Sequence, residues 1–158
     1  NGKIKNFKKV LMESEKKEKM KKVFCSINAS TNPPHREPIL KNVLKRQDIF
    51  VVKNFSNNLE YLHELSKYKF NLCPEGNFFE SHRIWESLIF GCTPIVEKNV
   101  VNENFFNIGI PLIMLDSFNE LASISYEDIE QKNKVNENKD YSIFSNLDYW
   151  KEIINKKV

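Results

Sequence analysis

The residues able to do chemistry concentrate in one stretch, Cys73-Pro74-Glu75-Gly76-Asn77-Phe78-Phe79-Glu80-Ser81-His82-Arg83-Ile84-Trp85-Glu86-Ser87-Leu88-Ile89-Phe90-Gly91-Cys92-Thr93-Pro94-Ile95-Val96. It reads as a strand, a tight turn, a helix stopped by Gly91, and a second strand. Such a turn aims the free backbone N–H groups of a helix start at the strand ends. Those groups and the helix dipole favour an anion, above all a phosphate. Ser81 adds a hydroxyl donor. Arg83 falls in the first helical turn, where a cation opposes the dipole, so its placement makes sense when an anion is shared between the two. A guanidinium also grips phosphate bidentately. Glu86, three residues on, shares a helix face with Arg83, and its carboxylate can accept hydrogen bonds from the ribose hydroxyls of a nucleotide. The competing reading is an ordinary Arg83–Glu86 surface pair contributing about 0.3–0.5 kcal/mol. His82 is a candidate acid or base. Phe78, Phe79 and Trp85 read as core residues rather than stacking platforms.

A second candidate lies upstream, where Asn28-Ala29-Ser30-Thr31 precedes His35-Arg36 at a helix start. Alone, Arg36 reads as a surface residue. Together, two Arg side chains converging from neighbouring strand–helix junctions suit a diphosphate.

The elements that must position these residues follow from periodicity. Strands are predicted at 23–28, 49–52, 69–73, 93–96 and 111–115. Helices are predicted at 35–46, with Ile39, Val43 and Leu44 apolar; at 57–66, with Leu59, Leu62 and Leu65 on one side; and at 80–90. Residues 117–134 and 144–156 also look helical. Strands alternating with helices imply βαβ units, hence an α/β fold with a mostly parallel, Rossmann-like sheet and helices on both faces. Ligands of such sheets bind beyond the carboxyl ends of the strands, which selects the loops after Asn28, Cys73 and Val96.

Composition narrows the class. The chain has 158 residues, 41% hydrophobic and 28% charged, enough for one domain with a core. No apolar run approaches the roughly 20 residues of a membrane span. The net charge of +3 hides an asymmetry: residues 1–22 hold nine of the 24 basic and three of the 21 acidic side chains. A basic leader over 1–22, helical or partly disordered, is therefore expected to precede an α/β domain over 23–158. A charge excess confined to one terminal segment argues against a nucleic-acid partner. Cys25, Cys73 and Cys92 form no Cys-x-x-Cys pair and sit in apolar runs, as buried thiols of a reducing compartment do. The start at Asn1, without an initiator Met, suggests a chain cut from something longer.

The segments Tyr68 to Asn77, Ser81 to Leu88 and Gly91 to Val96 resemble the donor-binding domain of exostosin-like glycosyltransferases; Arg83-x-x-Glu86 leading to Thr93-Pro94-Ile95-Val96 is the most specific part. α1,3-Fucosyltransferases show a similar stretch with Lys at the position of Arg83. The likeness covers about residues 23–115. It implies one half of a GT-B fold, whose two Rossmann-like domains enclose the active site, and places an N-terminal GT-B domain outside this chain. It implies that Arg36, Arg83 and Ser81 hold the donor diphosphate and that Glu86 holds the ribose. Gly76, Asn77 and His82 would line the sugar pocket. Many GT-B enzymes carry a Glu eight residues before the one matching Glu86. Phe78 stands there here, leaving Glu75 and Glu80 as the nearest carboxylates for the sugar pocket.

The resemblance thus implies transfer of a sugar from a nucleotide diphosphate donor to a glycan or other hydroxyl acceptor. UDP-sugars are favoured, and GDP-fucose is the runner-up. Positioned Arg side chains and a helix N-terminus can stabilise the leaving diphosphate. The chain lacks an Asp-x-Asp motif, so neither a metal nor another cofactor is expected. The general base is expected from the missing domain, with His82 as the in-domain candidate. The alternative is a non-catalytic nucleotide- or glycan-binding module.

Overall fold

The computed structural model describes residues 9–12, 18–46, 50–52 and 54–155. Five parallel strands, β1 (Met20–Cys25), β2 (Phe50–Val52), β3 (Tyr68–Leu72), β4 (Thr93–Glu97) and β5 (Ile113–Leu115), form one sheet in the order β2-β1-β3-β4-β5. Helices α1 (Pro33–Leu44), α2 (Asn58–Leu65), α3 (His82–Ile89), α4 (Val100–Asn107), α5 (Tyr126–Asn133) and α6 (Leu147–Asn155) surround it. The fold is α/β and Rossmann-like. Among the described residues, no helix is long and apolar enough to cross a membrane.

The period of two along each strand sorts the core into two layers. Val23, Cys25, Phe70, Leu72, Ile95, Ile113 and Leu115 pack with Ile39 and Val43 of α1, Tyr126 and Ile129 of α5, and a 3-10 turn at Phe118–Ala122. On the opposite face, Phe24 meets Tyr61, Leu62 and Leu65 of α2. There too, Cys73 and Val96 meet Ile84 and Leu88 of α3, with Trp85, Phe105 and Trp150 packed against them. All three cysteines are buried free thiols. Burial pushes Cys25 and Cys73 up to about 12.

Several boundaries differ from the sequence expectation for local reasons. The first strand extends back to Met20, so its start falls inside the segment expected as a leader; residues 1–8 and 13–17 of that segment lie outside the described residues, as does Ile49. The buried stripe of α2 is Tyr61, Leu62 and Leu65, with Leu59 only half-buried. Phe78 and Phe79, expected in the core, are 81% and 60% exposed on the β3–α3 loop. The 117–134 segment splits into a 3-10 turn and α5, because Ser125 starts a new helix through a capping box with Asp128. Helix α4 was not foreseen. Its Val and Asn content is poor for helix formation, yet Asn99 caps its start by accepting from the Asn102 amide.

The stop at Gly91 was legible. Gly91 has φ +63; the Cys92 amide donates to the Ser87 carbonyl and the Gly91 amide to that of Leu88. That is a Schellman closure, which needs a left-handed residue. Gly109, at φ +92, ends α4 in the same way through Ile110 and Phe105.

Candidate functional site

From β1 the chain moves outward to β2, then returns to β1's other side as β3. The carboxyl ends of β1 and β3 therefore flank the topological switch point, the crevice where open α/β sheets take ligands. A cleft of about 570 Å³ opens there. Ser26 and Asn28 after β1 line it, with Phe55 and Tyr61 from the second crossover and His82, Arg83 and Glu86 from the start of α3.

Arg83 is fixed from behind and from beneath. The Asn71 Nδ2 on β3 donates to Ser87 Oγ at 2.8 Å, and Ser87 Oγ donates to the Arg83 carbonyl at 2.6 Å. Both polar side chains are fully buried, so this chain of bonds locks the first turns of α3 to the sheet. The Arg83 guanidinium carbon lies 4.6 Å from the centre of the Tyr61 ring, a cation–π arrangement. Among the described residues, Arg83 Nη1, Glu86 Oε2 and Tyr61 Oη are buried without a hydrogen-bond partner. Arg83 and Glu86 therefore do not satisfy each other through these atoms. Buried polar atoms are nearly always paired; eight side-chain atoms among the described residues are not, and three of them meet at this cleft.

The helix end adds to the same field. Helices α2, α4 and α5 are capped by the side chains of Asn57, Asn99 and Ser125. The Ser81 side chain makes no cap bond to α3, leaving its first amides without a side-chain acceptor among the described residues. Helix α1 also lacks a side-chain cap, but Pro33 and Pro34 remove two of its N–H groups.

Arg36 occupies a different position. It is 6% exposed. Its Nε donates to the Glu75 carbonyl at 2.7 Å, Nη1 to the Asn28 carbonyl at 3.1 Å and Nη2 to the Pro74 carbonyl at 3.3 Å. It ties the end of β1 to the end of β3 under the cleft and is not among the cleft's lining residues. Burial first, and the charge of Arg83 second, lower the Arg36 pKa.

The other expected residues lie on the β3–α3 loop. Glu75 Oε1 accepts from Asn99 Nδ2 at 2.6 Å, and the Gly76 carbonyl accepts from Asn32 Nδ2 at 2.9 Å. Asn77 is exposed. Glu80 Oε1 accepts from the Trp85 indole. Ser81 is buried, and His82 is exposed at the cleft. Of the residues picked from sequence for a site role, the structure brings His82, Arg83 and Glu86 to the cleft. The sequence reading missed Tyr61 and the Asn71–Ser87 bracket. The signal for Tyr61 was a hydroxyl-bearing residue within an apolar helical stripe; for Asn71 and Ser87 it was polar residues at buried positions of a strand and a helix.

No known family's sequence profile matches the chain. A probable glycosyltransferase of Arabidopsis thaliana is 27% identical over 100 residues, covering 62% of this chain and 20% of that protein. The matched stretch is thus a fifth of that relative's length. The likeness is distant: this chain is similar to part of that protein.

Proposed function

We propose that this chain is the donor-binding part of a glycosyltransferase and holds a nucleotide diphosphate sugar in the Arg83–Glu86 cleft. The observation that carries the reading is the set of unpaired buried atoms there: a guanidinium donor and a carboxylate acceptor beside an uncapped helix start. An anion next to ribose hydroxyls satisfies both poles at once. Arg83 and the α3 amides meet the diphosphate, and Glu86 accepts from the ribose. As the sugar leaves, charge grows on the diphosphate, and donors already aimed at it lower the barrier without reorganising. Arg36 holds the floor of the site rather than the ligand, because its guanidinium serves three carbonyls. On this reading the acceptor's base comes from a second, N-terminal GT-B domain that closes over the cleft. UDP-sugars are the favoured donors, with GDP-fucose second, from the exostosin and fucosyltransferase likenesses.

Titration calorimetry with UDP and GDP tests this. Wild-type protein binds one of them, and Arg83→Ala loses about 1.5–3 kcal/mol of that affinity, as expected when a hydrogen bond to a charged group is removed. Equal affinity in the variant rejects the assignment. A protein containing both domains that binds the nucleotide but never turns over a donor points instead to the non-catalytic module.

A further inference from the structure

We propose that Tyr61 is a ligand-binding residue of this cleft, its phenolic hydroxyl donating to a phosphate oxygen that Arg83 Nη1 holds at the same time. The inference rests on the nucleoside diphosphate reading above and extends it to a residue on a different helix. Tyr61 is 5% exposed, and its Oη, with the Arg83 guanidinium near it, makes no hydrogen bond of full geometry among the described residues although the residue lines the cleft. Packing does not account for that oxygen. The ring contacts Phe24 at 5.7 Å and Phe55 at 5.8 Å between centroids, and a Phe would keep those contacts without burying an unpaired hydroxyl. A buried, unpaired hydroxyl costs the unliganded fold stability; Tyr126 carries one in the opposite layer, but that of Tyr61 stands at the cleft with the unpaired atoms of Arg83 and Glu86.

The neighbours name the partner's chemistry. The hydroxyl belongs to the ring on which the Arg83 guanidinium rests. An atom that accepts from both carries negative charge. Glu86 Oε2, the third unpaired atom, only accepts when ionised, so it takes hydroxyl donors from the same ligand. A phosphate oxygen beside vicinal hydroxyls, as in a ribose phosphate, fits both ends. Burial raises the Tyr61 pKa, with Arg83 pulling the other way more weakly, so the phenol keeps its proton and remains a donor.

The test is Tyr61→Phe, measured by calorimetry with UDP, pyrophosphate and uridine, and by thermal unfolding without ligand. The expected result is a loss of roughly tenfold or more in affinity for UDP and pyrophosphate. Uridine affinity stays unchanged, and the unliganded Tm is equal to or above wild type. Weaker phosphate binding together with a higher Tm is a pattern that a purely structural tyrosine does not produce. Unchanged UDP affinity, an equal loss for uridine, or a lowered unliganded Tm overturns the role. Wild-type protein that binds no nucleoside diphosphate removes the nucleotide reading itself and this role with it. Wild-type binding that Tyr61→Phe leaves intact removes the Tyr61 role alone.

Discussion

Arg36 and Arg83 carry the same charge on neighbouring strand–helix junctions, and their surroundings separate them. Arg83 leaves Nη1 unpaired at the cleft, whereas Arg36 spends donors on the carbonyls of Asn28, Pro74 and Glu75. Removing a buried donor strands its acceptors, and stranded acceptors cost more than the bonds contributed. Arg36→Met is therefore expected to destabilise the fold by roughly 2–4 kcal/mol in urea unfolding. Arg36→Lys should recover only part, because an ammonium lacks the planar fork that reaches several carbonyls at once. A neutral Arg36→Met variant would mean that the carbonyls find other donors and that the floor of the cleft is not built as described.

At the scale of elements, the site depends on α2 and α3 keeping a fixed relation, since Tyr61 rides on one and Arg83 and Glu86 on the other. Lys19 supplies a clasp at the far ends of both helices. Its Nζ donates to the Ser66 carbonyl at 2.6 Å and to the Phe90 carbonyl at 2.7 Å, the C-cap residues of α2 and α3. A cation there meets the negative ends of two helix dipoles. Burial lowers its pKa, with Cys92 acting in the opposite direction. Lys19→Met should cost about 1–2 kcal/mol of stability through the lost cap and unpaired carbonyls. A denaturation midpoint equal to wild type would show that the clasp contributes nothing. The lysine belongs to a charge run that, in sequence, looked like a solvated leader; only packing against two helix ends gives it a task.

For the molecule as a whole, the strand order β2-β1-β3-β4-β5 puts the cleft at the one place where the direction of winding reverses. The cleft draws on β1, the second crossover and α3, whereas α5 packs on the opposite layer with Phe70, Ile95 and Ile113. A ligand in the cleft should therefore slow amide exchange in peptides covering residues 57–62 and 81–87 and leave 126–133 unchanged. Hydrogen-exchange mass spectrometry with and without UDP reads this directly. Protection spread evenly over both layers would indicate global stabilisation by binding elsewhere.

Most of the architecture was legible because it is written in local periods. Short apolar runs at 69–73 and 93–96 mark strands, the apolar residues Ile84 and Leu88 mark a helix over 80–90, and Gly91 marks a stop that only a left-handed residue makes. The strand–turn–helix around Arg83 and Glu86 was legible for the same reason, as was the end of the sheet at which a ligand belongs. What tertiary structure decided was partnership. The acceptors of Arg36 at Glu75 and Pro74 lie 39 and 38 residues away, so no local pattern distinguishes a floor-holding arginine from a free one. Helix α4 forms despite weak propensity because a cap and the apolar layer beside Trp85 select it. Phe78 and Phe79 stay in solvent because the loop that carries them is held by its backbone and by Glu75, not by those rings. Tyr61 reaches Arg83 only once two crossovers stack on the same face of the sheet. Periodicity fixes which way a side chain points; which atom it meets is settled by elements far apart in the chain.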